Sequence, residues 1–385
     1  MTNIPIAKPL FGPEEIAAVA ATLESGWIVQ GPRVAEFEKR FATFAHVGHA
    51  LACSNGTTAL HLAYAALGLG PGDEVIVPAF TWVATPNAVV YCGATPVFCD
   101  IDLATYNIDP EAIESLITPQ TRGIVPVHMF GLPAAMDSVD EIARRRGLWV
   151  VEDAACAMGA TLRGKHVGAF GDAATFSFHP RKSITTGEGG MVTTEREDVA
   201  AAVRSLRDHG VAPRRGEPSF LLPDYDEIGF NYRMTDVQGA IGCVQMERAQ
   251  AILSGRRERA HRYDEALADL PWLRRPVVPS GMTHGYQAYV CTFAPEEPGL
   301  HNVDELERRR NALMTALDAR GIATRQGTHA PVLQSVYRKR FGTRREAFPK
   351  AVLAEKLSLA LPLYPQMTDD EQGRVVDALR EVGPC

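Results

Sequence analysis

The chain has 385 residues, with 39 lysines and arginines against 46 aspartates and glutamates, a net charge of −7, and a composition 46% hydrophobic and 22% charged. This is the balance of an ordinary globular protein, with ample material for a core and a length that suggests about two or three domains. Both signs of charge are dispersed along the chain, which argues against a nucleic-acid or anionic-membrane footprint, and no stretch is long and apolar enough to span a bilayer.

The first half alternates helical and extended patterns. "GPEEIAAVAATLESG" (12–26) and "GTTALHLAYAALGLG" (56–70) have helical apolar spacing and close on glycine. "DEVIVPAF" (73–80), "ATPVFCDI" (94–101), "TRGIVPVHMFG" (121–131) and "LWVVEDAA" (148–155) are short apolar runs bounded by Gly, Pro or Asp, and read as strands. "AMDSVDEIARRRG" (135–147) is a helix between two of them, while "AATFSFHP" and "GGMVTTE" add two more strands. Strands alternating with helices predict a mostly parallel sheet covered on both faces, hence an α/β fold. After about residue 235 a long helical region begins, expected to kink or break near Gly255. Its basic cluster "GRRERAHRY" (255–263) reads as a solvated helix face. An α+β portion follows, with "YQAYVCTFAP" as a strand and "VDELERRRNALMTALDARG" and "TDDEQGRVVDALREVG" as helices.

The seven cysteines, Cys53, Cys92, Cys99, Cys156, Cys243, Cys291 and Cys385, are odd in number and never in CxxC spacing. Neither a disulfide framework nor a metal site is expected. With no signal-peptide pattern in "MTNIPIAKPLFGPEE", the expected location is a reducing cytoplasm.

Ligands of open parallel sheets gather beyond the carboxyl ends of strands, beside helix N-termini. Four features fall at such places. "SNGTTAL" (54–60) opens a helix, where free N–H groups and the positive end of the dipole make an anion site; the plainer reading is an N-cap by Ser54 or Asn55. "VVEDAA" (150–155) brings Asp153 to a strand end, suited to a cationic ring nitrogen or to capping the next turn. Trp82 in "AFTWVAT" could stack on a flat ring or fill core. Lys182 lies in "FSFHPRKSITTGEGG" (176–190), between a strand end and a glycine-rich turn. A lysine that attacks carbonyls must be held in place and be deprotonated part of the time, against a reference pKa of about 10.4. An anion cradle, a carboxylate for a ring nitrogen, an aromatic stacker and a nucleophilic amine together suit a phosphorylated pyridine aldehyde, pyridoxal phosphate.

At these residues the chain resembles the pyridoxal-phosphate-dependent sugar aminotransferases of the DegT/DnrJ/EryC1/StrS type, fold type I of the aspartate aminotransferase superfamily. The likeness runs nearly end to end, through "SGWIVQGPRVAEFEKRFA", "SNGTTALHLAYAALGLGPGDEVIVPAFTWVAT", "GATPVFCDID", "VPVHMFG", "VVEDAACAMGA", "FSFHPRKSITTGEGGMVTT", "GFNYRMTDVQGAIG" and "ALPLYPQMT". It implies a large domain over residues 1–240 around a mostly parallel seven-stranded sheet, then the long helix and a smaller α+β domain over 241–385, with the N-terminal residues able to join the small domain. It implies that Lys182 bonds to the cofactor and shuttles a proton, that Asp153 holds the pyridinium nitrogen, and that Trp82 stacks on the ring. Gly56, Thr57 and Ser177 would hold the phosphate, and Asn231 the phosphate of a neighbouring subunit, so a homodimer with shared sites is expected. His179 stands at the family's usual histidine, and Glu188 lies near it. Two positions depart from the pattern. Cys156 stands where the family usually has His or Gln near the cofactor's phenolic oxygen, and Arg181 where a small polar residue is common. Arg181 could face an anionic substrate group or be a surface arginine.

Relatives that remove a sugar hydroxyl carry histidine at the position of Lys182, so lysine favours amination. The resemblance implies a ping-pong cycle: an amino donor, L-glutamate, then a keto-sugar acceptor, a nucleotide-linked 3- or 4-keto-hexose, with a keto-cyclitol as the alternative. Arg325, Gln326 and His329 in "TRQGTHAPV" (324–332) lie where relatives contact the acceptor, or else shape a loop. A sugar dehydratase and a non-catalytic sensor of the cofactor or of amino sugars stay open; a nicotinamide enzyme is disfavoured because no G-x-G-x-x-G follows an early strand.

Overall fold

The computed structural model describes residues 3–213, 216, 218 and 220–384. Cys385, one of the seven cysteines noted above, lies outside the described residues. A seven-stranded sheet runs in the order His49–Cys53, Gly190–Thr194, Ala173–Ser177, Trp149–Asp153, Thr121–Ile124, Glu74–Pro78, Thr95–Cys99. Gly190–Thr194 pairs antiparallel with both its neighbours, and the remaining pairs are parallel. Strands buried on both faces favour apolar side chains on both. "VIVP" meets that demand, as does "VV" in "WVVED", whose buried Glu152 and Asp153 need polar partners. His49–Cys53 has no β-branched residue and was not anticipated; five paired positions with Gly190–Thr194 set it in place.

Helix Pro32–Ala45 is capped from far along the chain. The carboxylate of Asp236, itself buried, accepts from the N–H groups of Gly31 (2.8 Å), Arg33 (3.1 Å) and Val34 (3.0 Å). A negative charge at a helix start satisfies donors that have no partner within the helix. Asp236 also begins the helix Asp236–Ala266, which Thr235 and Gln238 close with reciprocal side-chain bonds.

That helix is continuous over 31 residues, so the break expected near Gly255 is corrected. A Cβ on Gly255 would lie 3.2 Å from the Pro365 side chain, so the glycine serves a close crossing and does not interrupt the helix. The solvated-face reading of "GRRERAHRY" is also corrected in part. Arg256, Ala260 and Tyr263 are buried, while Glu258, His261 and Arg262 are exposed.

Beyond this helix, Leu273–Arg274, Tyr289–Phe293 and Ser358–Leu361 form a three-stranded antiparallel sheet, backed by Val303–Asp318, Pro349–Leu357 and Asp369–Val382. The N-terminus joins it: Ile4 bridges Ile322, and the Leu363 N–H donates to the Ile6 carbonyl at 3.1 Å. Among the described residues no helix is long and apolar enough to cross a membrane.

Candidate active site

The helix Gly56–Ala66 starts at Asn55, whose Oδ1 accepts from the Thr58 N–H at 2.9 Å while Thr58 Oγ1 accepts from the Asn55 N–H at 3.1 Å. The cap consumes those donors and leaves the N–H groups of Gly56 and Thr57 at the first helical positions, where no carbonyl lies one turn back. A Cβ on Gly56 would fall 2.9 Å from Ser177 Cβ, so the helix start rests against the end of the strand Ala173–Ser177. Two free N–H groups, a helix dipole and a hydroxyl therefore converge on one cradle. It fits a phosphate.

Asp153 ends the strand Trp149–Asp153 and is 5% exposed. Thr85 Oγ1 donates to its Oδ2 at 2.7 Å and the Ala155 N–H to its Oδ1 at 3.2 Å. The preceding residue points the opposite way, as strand alternation requires. Glu152 is fully buried, accepting from the N–H groups of Gly168, Phe170 and Gly171 and facing His128 Nε2 at 2.9 Å. Because His128 Nδ1 accepts from the Ala134 N–H, the ring proton is on Nε2 and donates to Glu152. Those hydrogen bonds hold Glu152 below the usual carboxylate range although burial alone would raise it. Glu152 is thus a structural tie, while Asp153 turns to the other face of the strand.

Lys182 lies on a loop closed by its own short-range bonds. Its N–H donates to the His179 carbonyl at 2.8 Å; Thr185 Oγ1 and the Thr186 N–H both donate to the Phe178 carbonyl. Thr186 Oγ1 and Gln238 Nε2 hold the Glu188 carbonyl. At Gly190 a Cβ would meet the Asn55 carbonyl oxygen at 2.3 Å, so only glycine lets the return strand pass the phosphate cradle. Lys182 Nζ, half-buried, donates to Cys156 Sγ at 3.0 Å. The Lys182 carbonyl accepts from Nη2 of the buried Arg256 at 3.4 Å. Arg256 also donates to the carbonyls of Tyr286, Gln287 and Leu363, which ties the lysine loop to the C-terminal portion.

His179 Nδ1 accepts from the Arg181 N–H at 3.2 Å. Burial pushes the His179 pKa down, the nearby Glu188 charge opposes this, and Arg181 and Lys182 reinforce it. The indole of Trp82 is 56% exposed and lies 5.6 Å from the His329 ring. Asn231 is exposed on a bridge to Asp208, next to Tyr232, whose carbonyl accepts from the Ser54 N–H at 2.8 Å.

The structure therefore gathers Gly56, Thr57 and Ser177 at one point, and Lys182 with Cys156 at another. The three residues of "TRQGTHAPV" separate. Arg325 and Gln326 line a cavity with Arg181, while His329 packs beside Trp82. Sequence reasoning passed over Thr85 and Arg256. Thr85 lay inside the quoted "AFTWVAT", but its partner Asp153 is 68 positions away.

The DegT/DnrJ/EryC1/StrS aminotransferase family model matches residues 9–380. The chain belongs to this family. It is 41% identical over 384 residues to the GDP-perosamine synthase of Caulobacter vibrioides, covering 99% of each chain. It is 39% identical over 384 residues to the spore coat polysaccharide biosynthesis protein SpsC of Bacillus subtilis, covering 98% of this chain and 97% of that one. Among solved structures it is similar to the putative sugar aminotransferase Spr1654 of Streptococcus pneumoniae in its PMP-form, with a TM-score of 0.92, 28% identity and 99% of each chain covered. It is also similar to S. venezuelae DesV in complex with a ketimine intermediate, with a TM-score of 0.89, 33% identity and 99% of each chain covered. The protein is a pyridoxal-phosphate-dependent aminotransferase of fold type I.

Proposed function

We propose that this aminotransferase moves an amino group from L-glutamate to a keto sugar, a nucleotide-linked 3- or 4-keto-hexose, in two alternating half-reactions. The observations that carry the reading are a lysine amine held at Cys156 Sγ on a hydrogen-bonded loop, a helix start at Gly56 resting against Ser177, and a buried Asp153 carboxylate fixed by Thr85. The sugar acceptor is supported by likeness to GDP-perosamine synthase and to Helicobacter pylori PseC, an aminotransferase involved in the biosynthesis of pseudoaminic acid (26% identity, TM-score 0.90).

Bound pyridoxal phosphate supplies an electrophilic carbon and a ring that accepts the electron pair left when a Cα–H bond breaks. The Gly56 and Thr57 N–H groups and the Ser177 hydroxyl would hold its phosphate. Asp153, fixed by Thr85, would hold the protonated ring nitrogen, and Trp82 would cover a ring face. Lys182 Nζ is the group that would take and return the proton at the donor's Cα, and in the second half-reaction at the acceptor's carbon. Cys156 holds that amine with a weak, soft acceptor, so the amine is positioned without being committed to a charged partner. His179 fixes the backbone between the strand end and Lys182 through its ring nitrogen and its carbonyl.

A homodimer with shared sites belongs to the same reading. Phe220, Leu222 and Ile228 are 84%, 94% and 94% exposed, on the segment leading to Asn231, which would reach the partner's cofactor phosphate. A cytoplasmic setting fits six described cysteines that are all free thiols.

The test is transfer of label. Incubating the loaded enzyme with ¹⁵N-L-glutamate and a panel of nucleotide-linked keto-hexoses and keto-cyclitols should give one labelled amino sugar by mass spectrometry. Label on a cyclitol would replace the sugar assignment, and loss of a hydroxyl without label would replace the reaction.

A further inference from the structure

A cavity of about 70 Å³ opens one residue from Lys182, lined by Arg181, Gln287, Arg325 and Gln326 with Phe130 and Ile6 as apolar walls. None of the described residues lining it is acidic. Several other arginines are matched with carboxylates: Arg207 with Glu38, Arg196 with Asp172 and Asp198, Arg259 and Arg262 with Asp369. The guanidinium groups of Arg181 and Arg325 have no carboxylate or hydrogen-bond acceptor among the described residues.

Both are held from behind. The Arg181 N–H donates to His179 Nδ1 at 3.2 Å, and the Arg181 carbonyl accepts from Gln287 Nε2 at 2.7 Å. Arg325 is fixed by two backbone hydrogen bonds with Ala360, at 3.2 and 2.7 Å. Gln326 Nε2 is anchored on the Thr328 carbonyl at 2.9 Å. Burial first, and then the charge of Arg325, push the Arg181 pKa down. The two cations repel each other across a cleft, and an anion between them would relieve both penalties.

We propose that Arg181 and Arg325 form an anion pocket for the side-chain carboxylate of a dicarboxylic amino donor, and so select such donors over monocarboxylic amino acids. This rests on the aminotransferase reading of Lys182 and makes the donor class a property of named residues. Two planar guanidinium forks match a planar carboxylate in bidentate geometry. One water needs about 10–15 Å³ by the same measure of volume, so the cavity has room for the end of a short acid or for a single phosphate group, and not for a nucleotide. A phosphate of the sugar acceptor offers similar anionic oxygens, and the experiment separates the two sources.

The measurement is calorimetric binding to the cofactor-loaded enzyme of three probes that cannot react: glutarate, butyrate and pyrophosphate. Wild type should bind glutarate well above butyrate. Arg181→Gln and Arg325→Gln should each weaken glutarate by about 10- to 100-fold, the cost of one charge-assisted fork, with butyrate unmoved. Arg181→Lys, which keeps the charge and loses the fork, should fall between wild type and Arg181→Gln. Both side chains are exposed, so the substitutions leave the core intact. The proposal is overturned if wild type shows no preference for glutarate, if both Gln variants stay within about twofold of wild type, or if they lose pyrophosphate and keep glutarate. Failure of the aminotransferase reading would show separately, as a loaded wild-type enzyme whose visible absorbance ignores L-glutamate.

Discussion

At the residue scale the site turns on contacts between side chains distant in sequence. Lys182 and Asp153 could be read in the chain because each stands at a strand end inside a distinctive local pattern. Thr85 could not, since a threonine in a helix start has no local mark of its partner. Its hydroxyl donates to Asp153 and sits 3.0 Å from the Thr81 hydroxyl, so it orients the carboxylate that we propose holds the ring nitrogen. Thr85→Val keeps the shape and removes the donor. A hydrogen bond to a charged group contributes about 1.5–3 kcal/mol, so kcat should fall roughly 10- to 100-fold. Unchanged kcat in Thr85→Val would show that Asp153 needs no such support.

At the element scale, legibility followed burial. "EVIVP" and "WVVED" announce themselves by the consecutive apolar residues "VIV" and "WVV" that a parallel strand covered on both faces favours. "HALAC" carries no such signal, and pairing with Gly190–Thr194 decides its structure. Charge misled at "GRRERAHRY": Arg256 bonds only to carbonyls, a use of arginine that no charge pattern betrays. Buried rings also couple this architecture to pH. His284 Nδ1 accepts from the Tyr286 N–H at 2.8 Å, and His166 Nε2 accepts from the Gly159 N–H at 2.9 Å. Burial, the larger cause in both, pushes His284 down to about 3 and His166 down to about 4. Unfolded histidine titrates near 6.5, so between about 6.5 and these values the unfolded chain binds more protons. The stability these rings contribute is complete above about 6.5 and is lost as pH falls. The melting temperature should drop between about pH 7 and pH 4.5. His284→Gln, which keeps an acceptor and removes the titration, should flatten that slope; parallel slopes would assign it to other groups.

At the scale of the whole molecule, the mixed sheet, the long helix and the C-terminal portion meet at Lys182. The strand Ala173–Ser177 delivers its loop, Gly56 passes beside that strand, and Arg256 joins it to Leu363. The exposed apolar segment at 220–228 extends the argument to a second copy. Ile228→Asp should convert a dimer to a monomer by light scattering and loosen cofactor retention on dialysis, because Asn231 would no longer reach its neighbour. A wild-type monomer that keeps its cofactor would refute the shared site.

The claim on which all of this depends is that the loop exists to present the Lys182 amine. It is tested most directly by following the visible absorbance of the yellow, cofactor-loaded protein as L-glutamate is added, in wild type and in Lys182→Ala. The wild-type band should disappear and return when the right keto sugar is supplied, while Lys182→Ala, with its melting temperature nearly unchanged, should not cycle. A Lys182→Ala protein that still completes the cycle at a comparable rate would contradict the account.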